Sequence, residues 1–200
     1  MQHDVVQLDM VQGRYSIFTI DPNGRWTFRF TKNNLVLFSW GMIAAKCIGQ
    51  GNVDYKVSAA YLEYENVVSP GDAVTVPTMT RADDLSYYNG LGSGKDFLRV
   101  ALTGTPAIDI ATGSEDYFEP GVTGNQCTFI AQSTGSTGVL GRAFSDTVNS
   151  KIYGIALVAT PLFADRSQDI LLCRGYFEVA DQILKPSSQQ VGVRWKVAFR

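Results

Sequence analysis

The sequence predicts a mainly β protein, an antiparallel β-sandwich or jelly-roll-like barrel with one apolar α-helix near residues 34–48. Three observations predict this fold class. Roughly seven to nine segments alternate apolar and polar residues with a period of two, as half-buried strands do. Gly, Pro, Asn, Asp and Ser cluster between these segments, as they do in turns. No regular alternation of strands with helices is present, so a parallel sheet is not expected.

The clearest hairpin signal lies near the N-terminus. Residues 15–20 and 25–30 both alternate, and an Asp-Pro-Asn-Gly sequence with strong turn propensity separates them. By parity, Trp26, Phe28 and Phe30 share one face of the second arm. We expect one face of the hairpin to be buried, and the other to be solvated or in contact with a partner.

A helix is predicted next along the chain. Asn33 and Asn34 offer an N-cap, residues 35–48 follow with near-helical apolar spacing, and Gly49 is placed to adopt a left-handed conformation at the C-terminal end. Apolar residues occupy nearly every face of this helix, so it must be covered on several sides. The favoured interpretation is a core helix under the sheet, and the alternative is a helix at a subunit contact.

The rest of the chain is read mainly as strands. Residues 53–68 predict one long strand with a bulge near Ala60, where the apolar parity changes. Five further strands are predicted at 97–102, 126–132, 151–160, 169–177 and 191–199. In the last of them Val191, Val193, Trp195, Val197 and Phe199 share one face, which ties the end of the sequence into a sheet.

A single β-rich domain is predicted over residues 1–200, because neither an internal repeat nor a convincing linker is present. A long loop segment rich in Pro and Gly occupies about residues 69–95. Loops of this length usually make contacts or carry function, so partner contacts are expected here. A division into two smaller domains near residues 70–95 is the alternative.

Charge and cysteine content limit the possible partners. Seventeen basic and nineteen acidic residues give a net charge of −2 without charged blocks, so neither direct nucleic-acid binding nor binding to an anionic membrane is expected. The sequence also predicts neither a signal peptide nor a membrane span. Cys47, Cys127 and Cys173 are far apart, and we expect three buried, reduced thiols, which disfavours an oxidising compartment.

The usual catalytic combinations are missing from the sequence. His3 is the one histidine, and it stands beside the terminus, so a serine or cysteine nucleophile lacks a dependable base. The segment 90–95 resembles a phosphate-binding loop, but Asn89 replaces the required glycine and Asp96 replaces the required Ser or Thr. We therefore expect neither a nucleotide nor another cofactor.

An acidic cluster is the remaining candidate for chemistry. Glu115, Asp116 and Glu119, together with Asp109, could supply oxygen ligands for Ca²⁺ or a general acid and base. Their spacing matches no calcium loop, and solvated loop charges are the favoured interpretation. We assign no metal ligand and no catalytic residue, although a hydrolase built on Asp109, Glu115 and Glu119 is kept as a minor alternative.

Aromatic and acidic residues of the loops are the candidate contacts. Paired tyrosines beside a Gly-rich loop suit a platform for a sugar or a protein, since tyrosine is stable half buried with its hydroxyl in water. For these aromatic residues a place in the core, or a role in anchoring the loops, is the favoured interpretation. The predicted partner-contact residues are Asp83, Asp84, Tyr87, Tyr88, Tyr117 and Phe118.

Four segments together resemble small structural proteins from the virion gene modules of tailed bacteriophages: Tyr61–Asn66, Phe144–Pro161, Asp169–Phe177 and Ser188–Trp195. The resemblance implies a non-enzymatic virion protein that assembles as a homo-oligomer in the host cytoplasm. It would serve as a capsid decoration or cement subunit, or as a tail or connector adaptor, with copies of itself and other virion proteins as partners. A carbohydrate-binding β-sandwich module, with a host glycan as its ligand, is the alternative.

Overall fold

A computed structural model describes most of the chain. The described residues are 11–51, 55–84, 95–104, 107–111, 124–133, 149–161, 169–184 and 190–199. Their elements, in chain order, are β1 (Val11–Ile20), β2 (Trp26–Asn33), β3 (Leu35–Val36), α1 (Phe38–Gln50), β4 (Tyr55–Val67), β5 (Lys95–Ala101), β6 (Ala107–Ala111), β7 (Gly124–Gln132), β8 (Asn149–Pro161), β9 (Ile170–Tyr176), β10 (Ile183–Leu184) and β11 (Gln190–Phe199).

The strands form two antiparallel sheets. The first sheet has the order β2-β1-β11-β7-β6, and the second has the order β3-β9-β8-β4-β5, with β10 paired to β8. The predicted fold class, a mainly β, sandwich-like protein with one helix, is therefore confirmed for the part of the chain described. All five later strands are present at close to their predicted positions, whereas β6 and the short strands β3 and β10 were not predicted.

The main core lies between the two sheets. On β11, Val191, Val193, Trp195 and Val197 are all buried in it, as their alternation predicted. The second sheet supplies Leu62 of β4 and further side chains of β8 and β9 to the same cluster. Burial of a continuous apolar surface from both sheets is the main source of stability in such a fold.

The N-terminal hairpin is confirmed, but its two arms are not in simple register. Ile17 pairs with Phe30, while the next residue, Phe18, pairs with Phe28, so one extra residue, Arg29, is accommodated on β2. A bulge of this kind reverses the parity of the strand beyond it.

This bulge overturns the prediction that Trp26, Phe28 and Phe30 share a face. Phe30 packs inward, with its ring centroid 4.9 Å from that of Phe177, and lies against the core cluster. Trp26 and Phe28 lie on the opposite face of the sheet and remain exposed. The period of two is correct on each side of the bulge and fails across it.

The helix begins later than predicted. Leu35–Val36 form β3, which pairs with Arg174 and Cys173 of β9, and the helix starts at Phe38. Asn34 does not cap the helix, because its side-chain oxygen accepts a hydrogen bond of 3.1 Å from Trp195 Nε1. Pairing with a distant strand has outweighed the local preference for helix.

The helix also ends later than predicted. It continues through Gln50, and the residue in the left-handed conformation is Gly51, with φ of 61°, instead of Gly49. The amide of Gly51 donates to the carbonyl of Lys46, which is the usual way in which a glycine closes a helix.

Strand β4 contains the predicted irregularity. Its register with β8 shifts between Val57 and Ala59, close to the bulge expected near Ala60, and shifts again between Glu63 and Tyr64. The first shift turns Ala59 and Tyr61 to the outer face of the second sheet, where a smaller apolar cluster forms. That outer face positions the charged groups described below.

The three cysteines are free thiols, but the prediction that all of them are buried is wrong for two. Cys173 is fully buried between the sheets, and burial raises the pKa of its thiol well above the usual range. Cys47 lies on the partly exposed helix, and Cys127 on β7 is also only partly covered.

Candidate contact surfaces

A buried arginine organises the outer face of the second sheet. Arg174 of β9 is 0% exposed, and its Nε and Nη2 donate to the carboxylate of Glu63 on β4 at 3.0–3.2 Å. Its Nη1 donates to Oδ2 of Asp83 at 2.7 Å. The guanidinium also lies 5.0 Å from the ring centroid of Tyr176 and donates to the hydroxyl of that residue. Two carboxylates and one phenol therefore compensate this buried cation.

This ion pair changes the interpretation of Asp83, one of the predicted contact residues. The Asp83 side chain is only 13% exposed, and it also accepts hydrogen bonds from the amide and the hydroxyl of Thr80 at 3.1 and 2.7 Å. Asp83 therefore fastens the segment that follows β4 to the sheet. A residue held in this way is not available as an open contact.

The other predicted contact residues are placed as follows. Asp84 is exposed, next to the partly buried Asp83. Tyr87, Tyr88, Tyr117 and Phe118 lie outside the described residues, so their contact role stays a prediction. The same holds for Glu115, Asp116 and Glu119 of the acidic cluster.

A second charged cluster lies on the same outer face. Asp169 has a fully buried side chain that accepts hydrogen bonds from Tyr61 Oη at 2.6 Å, from Arg99 Nε at 2.8 Å and from the hydroxyl of Thr160. Arg99 Nη2 donates further to Ser58 Oγ at 3.2 Å and to Thr160 Oγ1 at 3.1 Å. These groups bind one another, which braces β4, β5 and β8 together.

Tyr61 belongs to both the charged and the apolar part of this face. Its ring stacks on Phe97 with centroids 4.0 Å apart, while its hydroxyl reaches Asp169. Burial raises the pKa of Tyr61 well above the usual range, and the adjacent Asp169 carboxylate raises it further. The phenol is therefore held in its neutral, hydrogen-bond-donating form.

Three aromatic rings lie together on the outer face of the first sheet, two of them exposed and Phe18 partly buried. We call them the aromatic patch: Phe18, Trp26 and Phe28. The Phe18 ring meets the other two edge-on, with centroids 5.3 Å from Trp26 and 5.8 Å from Phe28. Trp26 is 37% exposed and Phe28 is 57% exposed. The Arg194 guanidinium lies 5.5 Å from the Phe18 ring centroid, so a cation adjoins the patch.

A glycine makes room for this patch. A Cβ atom at Gly192 of β11 would stand 2.3–3.0 Å from three atoms of the Trp26 indole, so only glycine allows the indole to lie there. Polar cross-strand pairs continue the same face, with Ser16 Oγ 2.6 Å from Thr31 Oγ1. The patch is thus a small apolar area bordered by hydrogen-bonding groups.

Helix α1 presents a second exposed apolar surface. None of its residues is buried, and Phe38, Met42 and Ile48 are 64, 43 and 87% exposed. Trp40 and Ile43 pack against the core, so the helix is attached along one side only. The preferred prediction, a core helix under the sheet, is therefore wrong, because β9 covers one side of a helix that is apolar on nearly all sides.

Two further findings concern metal and membrane sites. Among the residues that the structure describes, no group of three or more His, Cys, Asp or Glu side chains lies close enough together to hold a metal ion. In the same part of the chain, no helix has both the length and the apolar character needed to span a bilayer.

Comparison with known proteins identified no relative of this chain. No protein-family model matches the chain, and searches of curated proteins and of solved structures gave no match either.

Proposed function

We propose that this chain is a non-enzymatic structural subunit of a tailed-bacteriophage virion, which assembles as a homo-oligomer in the host cytoplasm. It would act as a capsid decoration or cement subunit, or as an adaptor in the tail or connector. The observation that carries the assembly role is the exposure of large apolar side chains on α1, where Phe38 and Ile48 are 64 and 87% exposed. Clustered apolar side chains exposed on a folded domain usually mark a surface that another protein covers.

The charged clusters support a structural role. Arg174 and Arg99 are the centres of two networks in which carboxylates, hydroxyls and guanidinium groups bind each other. A catalytic centre needs at least one such group directed at a substrate. Here the groups join strands and fasten a long segment to the sheet, which gives a rigid body suited to repeated assembly.

The virion part of the proposal depends on the sequence resemblance. The resembling segments include β8, β9 and most of β11, which lie at the centre of the two sheets, so the resemblance concerns the body of the fold. The aromatic patch and the exposed side of α1 lie outside the resembling segments.

Two measurements test this function. Light scattering coupled to gel filtration should show an oligomer of defined mass, and electron microscopy should show closed assemblies of uniform size. Labelled protein should also co-sediment with particles of the virus that encodes it. A strictly monomeric chain that binds no virion component would contradict the proposal.

A carbohydrate-binding module is the second candidate, and the aromatic patch is the observation that favours it. Trp26 and Phe28 offer exposed ring faces, and Ser16, Thr31 and Arg194 provide hydrogen-bonding groups nearby. Such a combination suits the apolar face and the hydroxyls of a sugar ring. This site differs from the one centred on Tyr87 and Tyr88 that the sequence suggested.

A glycan array distinguishes the two glycan sites. Binding that is lost in Trp26→Ala and retained in Tyr88→Ala would locate the ligand on the aromatic patch, and the reverse result would locate it on the tyrosine loop. The matched control is Val68→Ala, which removes a 93% exposed apolar side chain directly after β4. An array without any binding would exclude this second candidate.

A further inference from the structure

Apart from Gln50 at its last position, the exposed side of helix α1 consists of apolar and small residues. The exposed positions recur at the three- and four-residue spacing that places side chains on one helical face. None of them is charged. We call this surface the α1 stripe: Phe38, Gly41, Met42, Ala45, Ile48 and Gly49.

Nothing in the described part of the subunit requires the two glycines of the stripe. Neither Gly41 nor Gly49 has a positive φ, and a Cβ atom at either position would meet nothing within 4 Å. Gly51 differs, because its φ of 61° is needed to end the helix. Glycine inside a helix lowers its stability relative to alanine, so two unneeded glycines on one face call for a reason outside the subunit.

Close approach of another helix is such a reason. Small residues at 41, 45 and 49 repeat every four positions and form a shallow groove along the helix, while Phe38, Met42 and Ile48 project beside it. Helices pack by inserting projecting side chains of one into the grooves of the other. The α1 stripe carries both parts, which makes it complementary to itself.

A two-fold axis converts this property into a definite pairing. Consider two copies of α1 that cross antiparallel, with the axis between Ile43 and Ala44. Two residues then face each other when their numbers have the same sum as 43 and 44. Phe38 then faces Gly49 of the partner subunit, and Met42 faces Ala45 of the partner subunit. Phe38 and Met42 thus each meet a small residue, and the contact is the same for both copies, as a two-fold interface requires.

The charge of the surface agrees with a second copy as the occupant. The stripe contains no charged residue, so two copies bring no like charges together. Lys46, the basic residue of the helix, is engaged elsewhere, because its Nζ donates to Tyr55 Oη at 3.1 Å and lies 5.2 Å from that ring centroid.

The size of the surface limits the strength of the contact. A helix of 13 residues is about 20 Å long, which is short for a standard interface that buries roughly 800 Å² per partner. The helix pair alone therefore gives a weak, concentration-dependent dimer. Contacts elsewhere on the subunit would extend it to the full assembly.

We infer that the α1 stripe is the self-association surface of this protein, where α1 packs antiparallel against α1 of a second copy across a two-fold axis. The inference rests on the proposed function of an assembling subunit and specifies which surface the copies share. It requires the same face on both subunits, so one substitution alters the interface twice.

Sedimentation equilibrium over a wide range of protein concentration tests the inference. Met42→Glu places two like charges near the two-fold axis and should abolish dimerisation, or raise the dissociation constant by at least about a hundredfold. The control is Val68→Glu, which introduces the same charge at a 93% exposed site away from α1 and should leave the dissociation constant unchanged.

A second variant separates loss of association from loss of folding. Gly49→Leu fills the space that receives Phe38 of the partner subunit, so association should weaken at least about tenfold. Leucine favours helix more than glycine does, and the isolated subunit has open space there, so the thermal midpoint of the monomer should rise. Opposite changes in stability and association cannot arise from misfolding.

Each outcome has a distinct meaning. An oligomer that persists in both Met42→Glu and Gly49→Leu would overturn the inference, while the proposed assembly function would stand. A monomeric wild-type protein whose binding to virus particles is lost in Met42→Glu would show that another virion protein covers the stripe, which also overturns the inference alone. A wild-type chain that neither self-associates nor binds particles would overturn both.

Discussion

Strand β11 and helix α1 are both rich in apolar residues, yet their side chains lie in opposite environments. On β11, Val193 and Trp195 are only 2 and 1% exposed. On α1, Phe38 and Ile48 are 64 and 87% exposed. Apolar content alone therefore does not decide burial in this molecule.

The difference follows from how many faces of each element the fold covers. The period of two sends the apolar side chains of β11 to one face, and the second sheet covers that face completely. The apolar side chains of α1 point to nearly all sides of the helix, whereas only one of these sides packs against β9 and the core. None of the residues that the structure describes covers the remaining side, where Phe38 and Ile48 are exposed.

The largest expected effect compares equivalent truncations in the two elements. Trp195→Ala removes a buried indole that lies 5.5 Å from the Tyr15 ring and donates to Asn34, so the free energy of unfolding should fall by about 3–5 kcal/mol. Met42→Ala should lower it by less than about 1 kcal/mol, because that side chain is 43% exposed. Urea denaturation of dilute, monomeric protein measures both.

Equal losses in the two variants would contradict this comparison. They would mean that Met42 is buried within its own subunit, and the α1 stripe would no longer need a partner. A larger loss for Met42→Ala at high protein concentration only would instead agree with burial in the dimer.

The sequence predicted those elements that depend on local pattern. The hairpin and the later strands were predicted correctly, because alternation and turn residues act over a few neighbouring positions. The start of α1 was missed, since pairing of Leu35 and Val36 with β9 depends on residues about 140 positions away. Pairing of this kind leaves no local signal in the chain.

The contact surfaces were less predictable than the strands. Asp83 was predicted as a possible partner contact, but Arg174 binds it from 91 residues away, and that distance in sequence conceals the pair. Trp26 and Phe28 were noted but placed on the same face as Phe30, because a bulge changes parity without changing composition. The all-round apolar character of α1 predicted either a core helix or a helix at a subunit contact. The exposure of Phe38 and Ile48 excludes the first, and the second stays a prediction.

A matched pair of phenylalanines tests the same distinction within strand β2. Phe30→Ala removes a ring packed against Phe177 and Tyr15, so we expect a loss of about 2 kcal/mol in the free energy of unfolding. Phe28→Ala removes a ring that is 57% exposed, and the expected loss is below about 1 kcal/mol. Similar losses for the two variants would show that the bulge at Arg29 is absent and that both rings share a face.

The smallest expected effect concerns the buried phenol of Tyr61, which contrasts with the open rings of the aromatic patch. At neutral pH, Tyr61→Phe loses the hydrogen bond to Asp169, which keeps Arg99 and Thr160 as partners, so the cost should be about 1 kcal/mol. Burial and Asp169 raise the pKa of Tyr61 in the folded protein above its ordinary value of 10.0.

That raised pKa fixes the sign of the pH dependence. Above pH 10 the unfolded chain releases the Tyr61 proton while the folded chain keeps it, so the folded state binds more protons and its stability falls as pH rises. One proton corresponds to about 1.4 kcal/mol per pH unit, whereas Tyr61→Phe has no such proton to lose. The stability advantage of the wild-type protein over Tyr61→Phe should therefore shrink between about pH 10 and 11 in urea denaturation experiments. Two curves that stay parallel over this interval would show that the phenol reaches solvent, and the outer face of the second sheet would then be as open as the aromatic patch.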